Sequence, residues 1–97
     1  MYLVRDVFQT KPGKAKDLVA IFKEAAPHLE KMGAGKLRVM TDTVANYWTV
    51  AMHFEVDSLE TYFGAVANRT QDPELNRIMS GYMDLVVSGH REIFELQ

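Results

Sequence analysis

The chain has 97 residues, the length of one domain, with 47% hydrophobic and 25% charged residues, as is usual for a globular protein. The net charge of −2 and the lack of a basic run argue against nucleic-acid binding, and the absence of cysteine excludes disulfides, thiol catalysis and cysteine metal sites. No apolar run approaches the ~20 residues needed to cross a bilayer. With no signal-peptide pattern, we expect a cytoplasmic protein that does not bind membranes.

The first half of the chain predicts a strand followed by a helix. Tyr2–Gln9 mixes β-formers with alternating character, and Lys11-Pro12-Gly13-Lys14 then breaks the strand. The helix that follows has an apolar stripe at spacings of three and four, formed by Leu18, Ile21, Phe22, Ala25 and Leu29. Pro27 should kink or end this helix, and Gly33 and Gly35 suit its exit turn.

The middle of the chain predicts two strands joined by a short connection. Residues 37–43 form the second strand, and residues 47–56 form the third, which has the clearest alternation in the chain. Its even positions are all apolar and should pack beneath the helices: Trp48, Val50, Met52, Phe54 and Val56. Its odd positions are mixed and should face the opposite side: Tyr47, Thr49, Ala51, His53 and Glu55.

The last third predicts a broken helix and a closing strand. Asp57-Ser58-Leu59-Glu60 is typical of a capped helix start, with Asp57 as the cap. Residues 68–71 are polar and interrupt the helix, and Asp72-Pro73 restarts it with a cap before a proline. Residues 85–96 form the fourth strand, in which Gly89 is a candidate β-bulge.

This βαββαβ order is that of the ferredoxin-like fold. The chain resembles the dimeric α+β barrel superfamily, and within it the NIPSNAP-like and antibiotic-biosynthesis-monooxygenase-like proteins. Four segments carry the resemblance: Phe8-Gln9-Thr10-Lys11-Pro12-Gly13-Lys14, Asp57-Ser58-Leu59-Glu60, Asp72-Pro73-Glu74-Leu75 and Ser88-Gly89-His90-Arg91-Glu92-Ile93. The resemblance implies one α+β domain over residues 1–97, with a four-stranded antiparallel sheet of order 4-1-3-2 and both helices on one face.

The resemblance also implies a homodimer in which two sheets face each other and leave room for side chains or one small ligand. The superfamily includes cofactor-independent monooxygenases, isomerases, decarboxylating or haem-dependent enzymes, and many proteins with no assigned activity. The fold therefore does not decide whether this chain is an enzyme.

Strands 1 and 3 carry the first candidate site residues. His53, on the mixed face of strand 3, could act as a general base or orient a ligand, or it could be a hydrogen-bonded histidine of the dimer interface. Arg5 and Asp6 lie in strand 1, which is central in this sheet order, so one of them should face a polar cavity or a dimer contact. Arg5 is the preferred partner of His53 in the predicted site, as the arginine that would hold an anion formed beside the histidine.

The remaining candidates could line the same site. His90 and Glu92 should share a face of strand 4 while Arg91 points away, so a row of His90, Arg5 or Asp6, and His53 is geometrically possible. The alternative for His90 is a polar pair at the sheet surface. Further lining candidates are Tyr47, Thr49 and Arg38.

Two functions remain open. The first is a small-molecule binding protein or small enzyme, with its site between sheet and helices or in the dimer interior and a small hydrophobic or aromatic ligand. Its enzymatic form would be a cofactor-free oxygenase, with His53 as base and Arg5 or Arg38 stabilising the anion. We expect no metal and no cofactor, because no helical His pair or phosphate loop is present. The second function is a non-enzymatic dimeric module whose interior is packed shut, so a cavity would distinguish the two.

Overall fold

The computed structural model describes residues 1–68 and 71–97. Its elements, in chain order, are β1 (Tyr2–Thr10), α1 (Ala15–Lys31), β2 (Arg38–Thr41), β3 (Thr49–Val56), α2 (Leu59–Asn68), α3 (Pro73–Met79), a 3₁₀ turn (Tyr82–Leu85) and β4 (Val86–Glu95). The four strands form one antiparallel sheet in the order β2-β3-β1-β4, which is the predicted order read from the other edge. The ferredoxin-like prediction is confirmed.

The molecule has two layers, with a sheet on one side and the helices on the other. The core lies between them and includes Val4 of β1, Leu18 and Phe22 of α1, and Val50 and Phe54 of β3. The alternation in β3 therefore predicts its faces correctly from residue 49 onward. The molecule measures 35 × 35 × 18 Å, and its short dimension corresponds to two layers. The other face of the sheet is therefore uncovered. None of the described helices is long and apolar enough to span a membrane.

The β2–β3 connection is longer than predicted. β2 ends at Thr41 and β3 begins at Thr49, because the Thr49 hydroxyl donates to the Asn46 carbonyl (2.6 Å) and its N–H donates to Asp42 Oδ1 (2.9 Å). Trp48 has a positive φ of 62°, which breaks the alternation and leaves its side chain 43% exposed. The prediction that Trp48 packs beneath the helices is wrong.

Two helix boundaries differ from prediction. α1 continues through Pro27 to Lys31, with Ala25 fully buried and Leu29 packed against the core. Ser58, not Asp57, caps α2, since its hydroxyl accepts a hydrogen bond from the Thr61 N–H at 3.3 Å. The predicted interruption at residues 68–71 includes two residues, 69 and 70, that lie outside the described part of the chain.

The restart of the helix is confirmed. Asp72 accepts a hydrogen bond from the Leu75 N–H at 3.0 Å, and Pro73 occupies the first position of α3. This cap is what the Asp-Pro pair predicts.

The irregularity in β4 lies two residues before the predicted position. Gln9 pairs with Ser88 and Thr10 pairs with Val86, so Val87 is the extra residue of the bulge. Gly89 instead pairs directly with Phe8 and serves close packing, because a Cβ there would lie 2.8 Å from Phe8 Cδ1. The prediction of a bulge at Gly89 is therefore wrong.

Candidate functional site

The uncovered face of the sheet carries one row of polar side chains that crosses all four strands. Arg38 of β2 pairs with His53 of β3, His53 pairs with Arg5 of β1, and Arg5 pairs with Glu92 of β4. Because paired residues point to the same side of a sheet, these four side chains share the face that points away from the helices. His53 thus lies between two arginines.

Ion pairs occupy the β4 end of this row. Arg5 Nε lies 3.0 Å from Glu92 Oε1, and His90 Nε2 lies 3.8 Å from Glu92 Oε2. His90 pairs with Val7, so it belongs to the next row and reaches the polar row through Glu92. His90 and Glu92 share a face, as the alternation in strand 4 indicates.

Apolar side chains flank the polar row on both sides. Met40, Ala51 and Val7 pair across one flanking row, and Leu3 and Phe94 pair on the other. Phe94 is 49% exposed and Met40 is also exposed. The uncovered face therefore combines exposed apolar side chains with a charged stripe, and Glu55, paired with Leu3, and His90, paired with Val7, add polar groups to the flanking rows.

The opposite face of the sheet borders a partly open cavity of about 120 Å³, which lies between the sheet and the three α-helices. Met52 and Phe54 of β3 form its floor, and Leu29 of α1 and Met32, which follows that helix, lie along one side. α2 and α3 contribute further lining, chiefly Tyr62, Ala65, Val66, Leu75 and Met79. The lining is predominantly apolar, as is usual for small-molecule sites.

A charged pair lies at the sheet side of this cavity. Asp6 of β1, 4% exposed, accepts a hydrogen bond from Arg91 Nε at 2.6 Å and a long one from Nη2 at 3.5 Å. The hydrogen bond to Asp6 raises the pKa of the Arg91 guanidinium, while partial burial of the arginine acts against this. Arg91 Cζ also lies 5.7 Å from the centroid of the Tyr62 ring, within cation–π distance. Both charged groups line the cavity.

The predicted site residues thus fall into two places. Asp6 lines the cavity, whereas His53, Arg5 and Arg38 lie on the uncovered face and His90 lies near them. Thr49 is buried, and its hydroxyl is held by the Asn46 carbonyl and the Gln9 amide.

One candidate is displaced and others were missed. Tyr47 lies in the β2–β3 connection, 87% exposed and outside the strand, so its predicted place in the lining is wrong. Sequence reasoning missed Arg91, Tyr62 and Tyr82 as cavity residues. The residue that could have indicated Arg91 from the sequence was Asp6, since a buried carboxylate needs a cationic partner.

No protein-family model matches the sequence, and no curated protein matches it. Solved structures do match its fold. A NIPSNAP domain protein from Burkholderia xenovorans superposes with a TM-score of 0.83 at 12% identity, over 100% of this chain and 95% of that one. A NIPSNAP family protein of unknown function from Agrobacterium tumefaciens gives a TM-score of 0.83 at 14% identity, over 99% and 87% of the two chains.

A third match carries a functional name. A proposed antibiotic biosynthesis monooxygenase from Chloroflexus aurantiacus superposes with a TM-score of 0.72 at 17% identity, over 99% of this chain and 93% of that one. At these identities the shared property is the ferredoxin-like α+β fold.

Proposed function

We propose that this protein binds a small aromatic molecule in the cavity between the sheet and the helices. One observation carries the proposal: a predominantly apolar cavity that contains the side chain of Asp6, a buried carboxylate paired with Arg91. A protein whose interior served only for packing would fill this space, because protein interiors are close-packed. The cavity therefore favours ligand binding over a dimeric module that is packed shut.

We also propose that a second copy of the chain covers the uncovered face. Its apolar rows, with Phe94 and Met40 exposed, would be buried by a homodimer. The polar row runs from Arg38 at one edge to Glu92 at the other. A two-fold axis parallel to the strands would bring the Arg38 end of one row over the Glu92 end of the other, so the two ends of the row are complementary in charge. His53 and Arg5 would then lie in the dimer interior, on the opposite side of the sheet from the cavity.

An enzymatic form of this proposal is a cofactor-free oxygenase, supported by the name of the Chloroflexus aurantiacus structure. In such a reaction the deprotonated substrate supplies the electrons for both atoms of oxygen, one of which enters the substrate while the other leaves as water. The protein must hold the substrate in a dry site, and Arg91 is the cation among the described residues of the lining that would stabilise negative charge developing on the substrate oxygen.

The test uses methionine methyl groups as reporters. Met32, Met52 and Met79 line the cavity, Met40 lies on the uncovered face, and Met83 is exposed. In protein labelled with ¹³C-methyl methionine, we expect toluene to shift the NMR signals of the three cavity methionines. A shift confined to Met40 would place the ligand in the dimer interior instead, and no shift at any methionine would contradict the proposal.

Two variants of α2 provide the control. Ala65 lines the cavity and Ala67 is exposed on the same helix. Ala65→Leu should fill the cavity and abolish the toluene shifts, whereas Ala67→Leu should leave them unchanged. Oxygen consumption with oxidisable phenols, measured on the same samples, then separates an oxygenase from a protein that only binds.

A further inference from the structure

We infer that the ligand is a neutral single-ring aromatic compound with a hydroxyl group, of the phenol class, and that Asp6 accepts the hydrogen bond from that hydroxyl. This inference rests on the proposed function, since it concerns the same cavity. It follows from the size of the cavity, the hydrogen bonding of Asp6 and the charge of the Asp6–Arg91 pair.

The size of the cavity indicates one ring. An apolar cavity of about 150 Å³, engineered in another protein, binds benzene. The cavity here is of comparable size, about 120 Å³, and is partly open, so it fits one six-membered ring, with a small substituent toward the opening, better than a fused polycyclic ligand. The ring would contact an aromatic wall, because the centroids of Phe54 and Tyr62 lie 5.8 Å apart on the lining.

The hydrogen bonding of Asp6 indicates a donor on the ligand. An ionised carboxylate can accept about four hydrogen bonds. Arg91 supplies a short bond to Oδ1 and a long one, 3.5 Å, to Oδ2. The Asp6 side chain is only 5% exposed, so water has little access to its remaining acceptor positions. A hydroxyl entering the cavity would supply a further donor to Asp6.

The charge of the pair selects a neutral ligand. Asp6 and Arg91 are the two charged groups among the described residues of the lining, and together they are neutral. A ligand carboxylate would meet the repulsion of Asp6, and a ligand ammonium would meet that of Arg91. A phenol avoids both penalties and would lie beside a guanidinium that stabilises partial negative charge on its oxygen.

The experiment compares phenol with toluene, which has nearly the same size but no donor. Affinities are read from the shifts of Met32, Met52 and Met79. The variant Asp6→Leu/Arg91→Met removes both members of the ion pair at once, which avoids leaving either charge buried alone. We expect the ratio of its phenol affinity to its toluene affinity to fall about 10- to 100-fold, because a hydrogen bond to a charged group is lost and the hydroxyl is left unpaired.

A matched control removes a different Arg–carboxylate pair. Arg77 and Glu74 form an exposed pair on α3 that does not line the cavity, so Glu74→Gln/Arg77→Met should leave both affinities unchanged. Retained toluene shifts in the Asp6→Leu/Arg91→Met variant show that its cavity is folded. If that variant does not fold, Asp6→Asn, which keeps the side-chain shape and one acceptor oxygen, should still weaken phenol selectively.

Several outcomes would overturn the inference. It is wrong if the parent protein binds toluene but not phenol, if the ratio of phenol affinity to toluene affinity is the same in the variant, or if benzoate binds more tightly than phenol. Failure of the parent protein to bind either toluene or phenol would instead contradict the proposed function as a whole.

Discussion

Gly89 lies opposite Phe8 in the β1–β4 pair, on the side of the sheet that faces the helices. A Cβ at residue 89 would lie 2.8 Å from Phe8 Cδ1 and 3.3 Å from the Val7 carbonyl. The Phe8 ring has little room to retreat, because its centroid lies 5.4 Å from that of Phe22 and 6.4 Å from that of Tyr82. The glycine is therefore required by close packing and not by backbone conformation.

We expect Gly89→Ala to lower the free energy of unfolding by about 1–3 kcal/mol, as overpacking of a filled site usually does. The matched control is Gly64→Ala in α2, where nothing lies within 4 Å of the added Cβ. That variant should be more stable by about 0.4–1 kcal/mol, because alanine restricts the unfolded chain and favours helix. Urea denaturation of both variants checks the prediction, and a Gly89→Ala variant as stable as the parent would contradict it.

At the level of elements, α3 depends on the cap supplied by Asp72. The hydrogen bond from the Leu75 N–H lowers the pKa of the Asp72 carboxyl, and His28 Nδ1, 3.2 Å away, adds to this effect against the opposing influence of desolvation. A carboxyl whose pKa is lower in the folded state stabilises the fold above its unfolded pKa of about 3.9. That contribution is lost as the pH falls through the lower, folded value.

Asp72→Asn tests this sign, because asparagine keeps a capping oxygen but has no charge. We expect the variant to be less stable than the parent at pH 7, and the difference to disappear once the pH has fallen below the lowered, folded pKa of Asp72, where the carboxylate is protonated. Thermal unfolding at a series of pH values measures the difference. A difference that stays unchanged at the acid end of the series would show that the charge of Asp72 does not contribute to stability.

The elements of the fold could be predicted from the sequence because each has a local signal. The alternation of β3 sent Phe54 to the core and His53 to the other face, and Asp72-Pro73 marked the start of α3. The prediction failed where tertiary contacts decide. The β2–β3 connection is set by side-chain hydrogen bonds of Thr49, and these place Trp48 outside the strand.

The candidate site was less predictable, because it depends on strand register. Asp6 meets Arg91 only because the bulge at Val87 sets how β4 pairs with β1, and a shift of one residue would send Arg91 to the other face. The two-residue repeat of a strand predicts that Arg91 and His90 point in opposite directions. It does not predict which residue of β1 pairs with Arg91. The cavity itself is formed by three helices whose packing no local pattern specifies.

At the scale of the whole molecule, the two faces of the sheet have different roles in the proposal. The face toward the helices borders the cavity, and the other exposes apolar side chains such as Phe94 and Met40 on both sides of the row from Arg38 to Glu92. Because the helices pack on one face of the sheet, the other face stays uncovered. We expect a small domain to bury that face against a partner. Sedimentation equilibrium should then give about twice the chain mass of 11.0 kDa.

The dimer prediction is sharpest at Val7, which lies in the central strand β1 between its cross-strand neighbours Ala51 and His90 on that face. In a monomer, Val7→Lys would place a lysine in water and change little. In the proposed dimer it would bury two unpaired charges, so we expect the dissociation constant to rise at least about 100-fold. Ala20→Lys, on the exposed side of α1, is the matched control and should leave the mass unchanged. A parent protein that is monomeric at micromolar concentration, or a Val7→Lys variant that stays dimeric, would show that this face is not the interface.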